Sequence, residues 1–127
     1  MEKAKILIVE DSDDAREMMA DLLRYAGYRV EEARNGLEAY RLLSACDEQP
    51  NLVLLDLMMP VMSGPELVEA LSDDPKLAEL PIVIVSAAME SISTGSVKRA
   101  LKKPVSFDLL LKVVDECCTR EAPSSNP

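Results

Sequence analysis

Four short apolar runs alternate along this chain with segments of helical periodicity, and the alternation restricts the folds open to it. The runs, which are rich in β-branched residues or leucine, are KILIVE (5–10), YRVEEA (28–33), NLVLLD (51–56) and PIVIVS (81–86). Such runs predict β-strands. The first, third and fourth runs are continuously apolar, which is typical of strands buried on both faces of a parallel sheet. We therefore predict an α/β fold with helices on both sides of the sheet.

The segments between these runs have the spacing of amphipathic helices. We predict helices at residues 14–26, 36–45 and 64–72, with Asn35 as the N-cap of the second and Pro65 in the first turn of the third. Because strand and helix alternate regularly, each pair of strands is joined by a βαβ crossover, and the sheet is doubly wound.

The C-terminal third is less regular. Between Ser86 and Lys103 we expect at most a short helix, because serine, threonine and glycine crowd the centre of that interval. A weak fifth strand is predicted at 100–103, and a last helix at 107–118 with Ser106 as its cap. The architecture thus has five strands and a short or irregular fourth helix.

Length and composition favour one domain. The chain has 127 residues, of which 48% are hydrophobic, so it supports one core. We expect the domain to span 1–119 and residues 120–127 to be a disordered tail or the stump of a linker. No apolar run reaches the length of a membrane span, the N-terminus does not resemble a secretory signal, and the three cysteines form no disulfide framework. The protein reads as soluble and cytoplasmic, with no membrane partner.

Charge and residue content exclude several functions. A net charge of −9 and a pI near 4.5 disfavour direct binding to nucleic acid, which requires a concentrated basic surface. The chain contains no histidine, so Ser/His and Cys/His nucleophile arrangements are excluded. Any chemistry must use carboxylates, hydroxyls and lysines.

Polar side chains stand where the predicted strands end. Asp56 follows an apolar run, and an ionised carboxylate withdrawn from water without a partner costs several kcal/mol. Because parallel strands share one carboxyl edge, Asp56 should meet the other residues at strand ends, which are Glu10, Asp11, Ser86 and Lys103. Three carboxylates repel one another unless a cation joins them, and a hard ion such as Mg²⁺ suits oxygen ligands. Lys103 then supplies a positive charge for an anion.

Four motifs in order carry a family resemblance: ILIVEDSDD, LVLLDLMMPVMSG, IVIVSA and LKKP. Over about residues 4–118 the chain resembles a receiver domain of the two-component response regulators, of the kind found in chemotaxis. The resemblance implies a flavodoxin-like sheet with the strand order 2-1-3-4-5. It also implies a regulatory phosphoacceptor of a phosphorelay, not an enzyme, although such a domain assists its own phosphorylation and dephosphorylation.

The resemblance also implies roles for individual residues. Asp56 would accept a phosphoryl group from a phosphohistidine on a histidine kinase or histidine phosphotransfer protein. Mg²⁺ would be held by Glu10, Asp11, Asp56 and the main-chain carbonyl of Met58. Lys103 would contact a transferring oxygen.

After phosphorylation, the Ser86 hydroxyl would donate a hydrogen bond to the phosphoryl group and bias the domain toward a second surface arrangement. The output would be a changed surface for a downstream protein partner or effector domain.

Two departures from the family pattern bear on that output. The aromatic residue that usually stands three positions before the lysine is replaced by Ala100, and the interval from Ser86 to Lys103 is several residues short. We therefore hypothesise that the domain signals through another face or through an unusual fourth-helix region. A full-length fourth helix at 88–99 would contradict this.

Other functions remain as alternatives. The same departures suggest a degenerate receiver that acts as a constitutive protein-binding module. A phosphohydrolase is disfavoured because Met58 stands where such enzymes generally carry a second acid. Flavin binding is disfavoured because no glycine- or hydroxyl-rich phosphate loop follows the first strand.

Overall fold

The computed structural model describes residues 4–87 and 96–121. Five parallel strands form one sheet in the order β2-β1-β3-β4-β5, which confirms the predicted topology. The strands are β1 (Lys5–Val9), β2 (Arg29–Ala33), β3 (Leu52–Leu55), β4 (Ile82–Ser86) and β5 (Val97–Lys102). The order reverses at β1, so the carboxyl ends of β1 and β3 flank the position where doubly wound sheets bind ligands.

Four helices are described: α1 (Asp13–Tyr25), α2 (Gly36–Ala45), α3 (Gly64–Ser72) and α4 (Phe107–Glu121). Asn35 and Ser106 accept hydrogen bonds from backbone N–H groups in the first turns of α2 and α4, as predicted. Helix α4 extends beyond its predicted end at residue 118, and residues 122–127 of the predicted tail lie outside the described residues. None of these helices combines the length and apolar character that a membrane crossing requires.

Alternate side chains of the strands divide the core into two layers. Leu7, Val53 and Ile84 point to the layer that α2 and α3 cover. The intervening residues, such as Ile8 and Leu54, point to the layer covered by α1 and α4. Because successive strand residues face opposite sides, a strand buried on both sides must be continuously apolar. This is the physical origin of the apolar runs in the sequence.

The fifth strand begins earlier than the sequence prediction of 100–103. It spans Val97–Lys102, and its residues from Arg99 onward pair in register with β4 from Val83 onward. Val97 starts the strand because its side chain packs against the core layer covered by α2 and α3. This contact could not be predicted from the local sequence, because the next two residues, Lys98 and Arg99, are charged and do not suggest a buried strand. Since Val97 is in the strand, a helix over the whole of 88–99 is excluded. The short helix predicted between Ser86 and Lys103 cannot be compared further, because residues 88–95 lie outside the described ranges.

Candidate functional site

The register of the sheet brings Glu10 and Asp56 together at its carboxyl edge. Val9 pairs with Leu55 at the ends of β1 and β3. The ladder continues one residue further, since the Asp56 N–H donates to the Val9 carbonyl at 3.0 Å and the Glu10 N–H donates to the Ala33 carbonyl at 3.0 Å. Each acid is therefore the first residue beyond its strand.

Glu10, Asp11 and Asp56 form one acidic cluster. One carboxylate oxygen from each lies within 4.8 Å of the other two. Glu10 is 2% exposed and Asp56 is 7% exposed, whereas Asp11 is open to solvent. At such a separation two like charges repel by roughly 3 kcal/mol at an effective dielectric constant of about 20. The cluster requires positive charge nearby.

Lys103 supplies one positive charge to this cluster. Its Nζ lies 2.5 Å from Glu10 Oε1 and 3.9 Å from Asp56 Oδ2. The residue is placed by the end of β5, where its main-chain N–H donates to the Ser86 carbonyl at 3.0 Å, and it precedes Pro104 through a cis peptide bond. One ammonium against three carboxylates leaves the cluster with excess negative charge.

Ser86 and Met58 also lie at this edge. Ser86 ends β4 with a residue exposure of 0%, and its carbonyl is tied to Lys103. The Met58 N–H donates to Asp56 Oδ1 at 3.3 Å, which fixes the turn after β3. The Ser86 hydroxyl as a donor and the Met58 carbonyl as a ligand remain predictions.

Burial raises the pKa of Glu10 above its usual value of 4.5. The Lys103 hydrogen bond and the Ser12 N–H, which donates to Glu10 Oε2 at 3.1 Å, oppose this rise, while the charge of Asp56 adds to it. The Glu10 carboxylate thus has both oxygens engaged and still holds a proton more tightly than a free glutamate.

The loop from β3 to α3 packs closely against two glycines, Gly36 and Gly64, where there is no room for a side chain. A Cβ atom on Gly36 would lie 2.6 Å from the Met62 carbonyl oxygen, to which the Gly36 N–H donates. A Cβ atom on Gly64 would lie 2.6 Å from Leu57 Cα and 2.7 Å from the Asp56 carbonyl oxygen. Because backbone atoms cannot move away cheaply, any larger residue would displace the loop that follows Asp56.

Sequence reasoning missed Arg16, which is 8% exposed and lies behind the acidic cluster. Its guanidinium donates to the Glu10 carbonyl at 3.0 Å, to Glu32 at 3.1 Å and to Asp13 at 2.6 Å. Burial disfavours its charge, but these two carboxylates outweigh that effect and raise the pKa of the guanidinium above its usual value. The only sequence signal was Asp13 three residues earlier, a spacing typical of many surface pairs.

The donors at this edge fit a hard divalent cation. Three carboxylates converge, and no cysteine or histidine belongs to the group found in the described part of the chain. Mg²⁺ prefers oxygen ligands and keeps several waters, so a partly exposed cluster of this kind suits it.

Comparisons with known proteins agree with this fold. The family model for the response regulator receiver domain matches residues 6–115. The sequence is 34% identical over 114 residues to the polar-differentiation response regulator DivK of Brucella anthropi, covering 86% of this chain and 91% of that protein.

Two solved structures show the same architecture. One is the signal receiver domain of a signal transduction histidine kinase from Syntrophus aciditrophicus, with a TM-score of 0.79, 29% identity, and coverage of 92% of this chain and 91% of that chain. The other is the response regulator TrrA from Thermotoga maritima in complex with Mg(2+)-BeF, with a TM-score of 0.78, 28% identity, and coverage of 92% and 99%.

The sheet order and the acidic edge define a receiver fold of the two-component signalling systems. The chain belongs to the response regulator receiver domain family. Receiver domains are regulatory phosphoacceptors rather than classical enzymes, and an acidic pocket for Mg²⁺ is typical of them. The resemblance seen in the four motifs is confirmed.

Val61, in the loop after Asp56, has a strained backbone. Its φ is 71°, and the Met62 N–H donates to the Pro60 carbonyl at 2.8 Å across it, as in the rarer and strained type of γ-turn. Strain of this kind costs about 1–3 kcal/mol in a β-branched residue, whereas glycine adopts positive φ freely at an entropic cost of about 0.5–1 kcal/mol. Val61 is 73% exposed, so its removal loses little burial.

We therefore expect Val61→Gly to raise the free energy of unfolding by roughly 0.5–2 kcal/mol, measured by urea denaturation. Val61→Thr keeps the β-branch and is the control, with no gain expected. A loss of stability in Val61→Gly would show that the turn is not strained.

The raised pKa of Glu10 predicts a pH dependence of stability. The folded protein binds this proton more tightly than the unfolded chain, so the contribution is fully present below pH 4.5 and is lost as the pH rises through the folded-state pKa. Glu10→Gln does not titrate. In metal-free buffer, its free energy of unfolding should therefore increase relative to wild type as the pH rises from 4.5.

Urea unfolding across a pH series measures this difference. The urea dependence of both proteins must be equal at each pH, so that the comparison reports stability and not a changed unfolded state. Parallel stability curves for the two proteins would contradict the prediction.

Proposed function

We propose that this domain accepts a phosphoryl group on Asp56 from a phosphohistidine of a histidine kinase or histidine phosphotransfer protein. The observation that carries the proposal is the joint placement of Asp56, two further acids and Lys103 at one sheet edge. A nucleophile, a cation site and a positive charge for the phosphoryl oxygens are the parts that such a transfer needs.

In the proposed reaction, a carboxylate oxygen of Asp56 attacks phosphorus, and the bond from phosphorus to the histidine nitrogen breaks. The nitrogen keeps that electron pair, and an aspartyl phosphate forms. The hydrogen bond from the Met58 N–H orients the Asp56 carboxylate. Lys103, which contacts Glu10 and lies 3.9 Å from Asp56, needs only a small movement to reach a phosphoryl oxygen.

Glu10, Asp11, Asp56 and the main-chain carbonyl of Met58 would hold Mg²⁺, which when bound neutralises charge that develops on the transferring oxygens. The Ser86 hydroxyl would donate a hydrogen bond to the phosphoryl group and so link the acceptor to β4. The resulting change of surface would be read by a downstream protein partner or effector domain.

The proposal places this chemistry in the cytoplasm and involves no nucleic acid. The three cysteines, Cys46, Cys117 and Cys118, all lie within the described residues and form no disulfide, which supports a reducing compartment. The net charge of −9 favours a protein partner over a phosphate backbone.

Phosphorylation at Asp56 can be tested with a small-molecule donor. Incubation with acetyl phosphate and Mg²⁺ should add one phosphoryl group to the wild-type protein, and Asp56→Asn should acquire none, because an amide is a poor nucleophile. Intact mass measures the adduct. The matched control is Asp73→Asn, an exposed aspartate at the end of α3, which should be phosphorylated as wild type.

An adduct that persists in Asp56→Asn would contradict the assignment of the acceptor. A wild-type protein that acquires no adduct, from this donor or from phosphoramidate, would instead favour the alternative of a constitutive binding module, which the exposed Ala100 in β5 suggests.

The neighbouring lysines provide a second test. Lys103→Met removes the charge beside Asp56 and should slow phosphorylation by roughly a hundredfold, the usual effect of losing one donor to a transferring group. Lys102→Met is the control, because Lys102 is exposed and β5 turns it away from the site. Initial rates of adduct formation measure both. Equal rates for the two variants would remove Lys103 from the mechanism.

A further inference from the structure

The two acids at the end of β1 are supported in different ways. The Glu10 side chain is held by Lys103 and by the Ser12 N–H. The Asp11 carboxylate is exposed, and no group in the described ranges forms a hydrogen bond or ion pair with it. Its position therefore depends on the backbone that carries it.

Arg16 holds that backbone. Its Nη1 donates to the Glu10 carbonyl, which belongs to the same planar peptide group as the Asp11 nitrogen. Orientation of this peptide decides where the Asp11 side chain begins. The Arg16 contact is buried, so water competes with it poorly.

The guanidinium is itself anchored by two carboxylates, one on β2 and one in its own helix α1. Its Nε donates to Glu32 on β2, and its Nη2 donates to Asp13 in the first turn of α1. A planar group bound by three acceptors in fixed directions has little freedom to rotate. Arg16 thus connects the β1–α1 turn to β2 and to the first turn of α1.

We propose that Arg16 is a positioning residue for the cation site, which orients the Glu10–Asp11 peptide and so aims the Asp11 carboxylate at the place where Mg²⁺ binds. The inference rests on the proposed function, since it assumes that the acidic cluster holds a metal. Groups that orient metal ligands typically change affinity by about 10- to 100-fold when they are removed.

Arg24 provides a matched control on the same helix. It also binds Glu32, at 3.3 Å, and donates to the Val30 carbonyl at 3.1 Å, but it makes no contact with the β1–α1 turn. Arg24→Met therefore loses an arginine and a Glu32 ion pair without touching the Glu10 carbonyl.

The experiment measures Mg²⁺ binding to the full chain by titration calorimetry. We expect Arg16→Met to weaken Mg²⁺ affinity at least about tenfold and Arg16→Lys to weaken it less, since an ammonium can still reach one acceptor. Arg24→Met should bind as wild type. A wild-type affinity in Arg16→Met overturns the inference, even if wild type binds Mg²⁺ and is phosphorylated at Asp56. Failure of wild type itself to bind Mg²⁺ overturns the proposed function as well.

Phosphorylation by acetyl phosphate separates positioning from general damage. In Arg16→Met, the Mg²⁺ concentration for half-maximal rate should rise about tenfold while the rate at saturating Mg²⁺ stays at the wild-type level. A fall in the saturated rate with unchanged Mg²⁺ dependence would contradict the inference. Should Arg16→Met fail to fold, Arg16→Lys and Glu32→Gln, which removes the β2 anchor, give the same two readouts with smaller expected shifts.

Discussion

Repulsion between carboxylates at one edge of the sheet is the constraint that determines which other groups must lie at this site. The parallel register places Glu10 and Asp56 side by side, and the apolar layers on both faces keep water from screening them fully. Such an arrangement is stabilised by a carboxyl group that keeps its proton or by compensating positive charge. Lys103 provides part of it at the end of β5, and a divalent cation would provide the rest. The fold thus brings acids together in an arrangement that suits a divalent cation.

The alternation of apolar runs and helical segments was enough to predict the sheet and the contents of its carboxyl edge. Parallel strands end at the same edge whatever their order, so the acids, Ser86 and Lys103 could be grouped without coordinates. The beginning of β5 could not be predicted, because Val97 is placed by contacts with a core layer formed by distant residues. The strand propensity of a short segment does not include such contacts.

Arg16 and Gly36 show a second limit of sequence reasoning. Each residue donates a hydrogen bond to a main-chain carbonyl. Arg16 donates to the carbonyl of Glu10, and Gly36 donates to the carbonyl of Met62. Every residue has a carbonyl, so a sequence pattern cannot reveal which one is contacted. Side chains that converge at strand ends can be deduced from topology, whereas the contacts that hold the intervening turns depend on the packing of helix against strand.

Ala100 limits how the site can communicate with the edge of the sheet. With alanine at that position, β5 has no aromatic ring that could change its orientation. Among the described residues, a direct connection runs through Lys103, whose side chain contacts Glu10 and whose backbone is bonded to Ser86. Lys103 follows the last residue of β5 directly, so the same residue contacts the acidic cluster and joins the ends of β4 and β5. Hydrogen bonds of the sheet thus connect the lysine that contacts Glu10 to both β4 and β5.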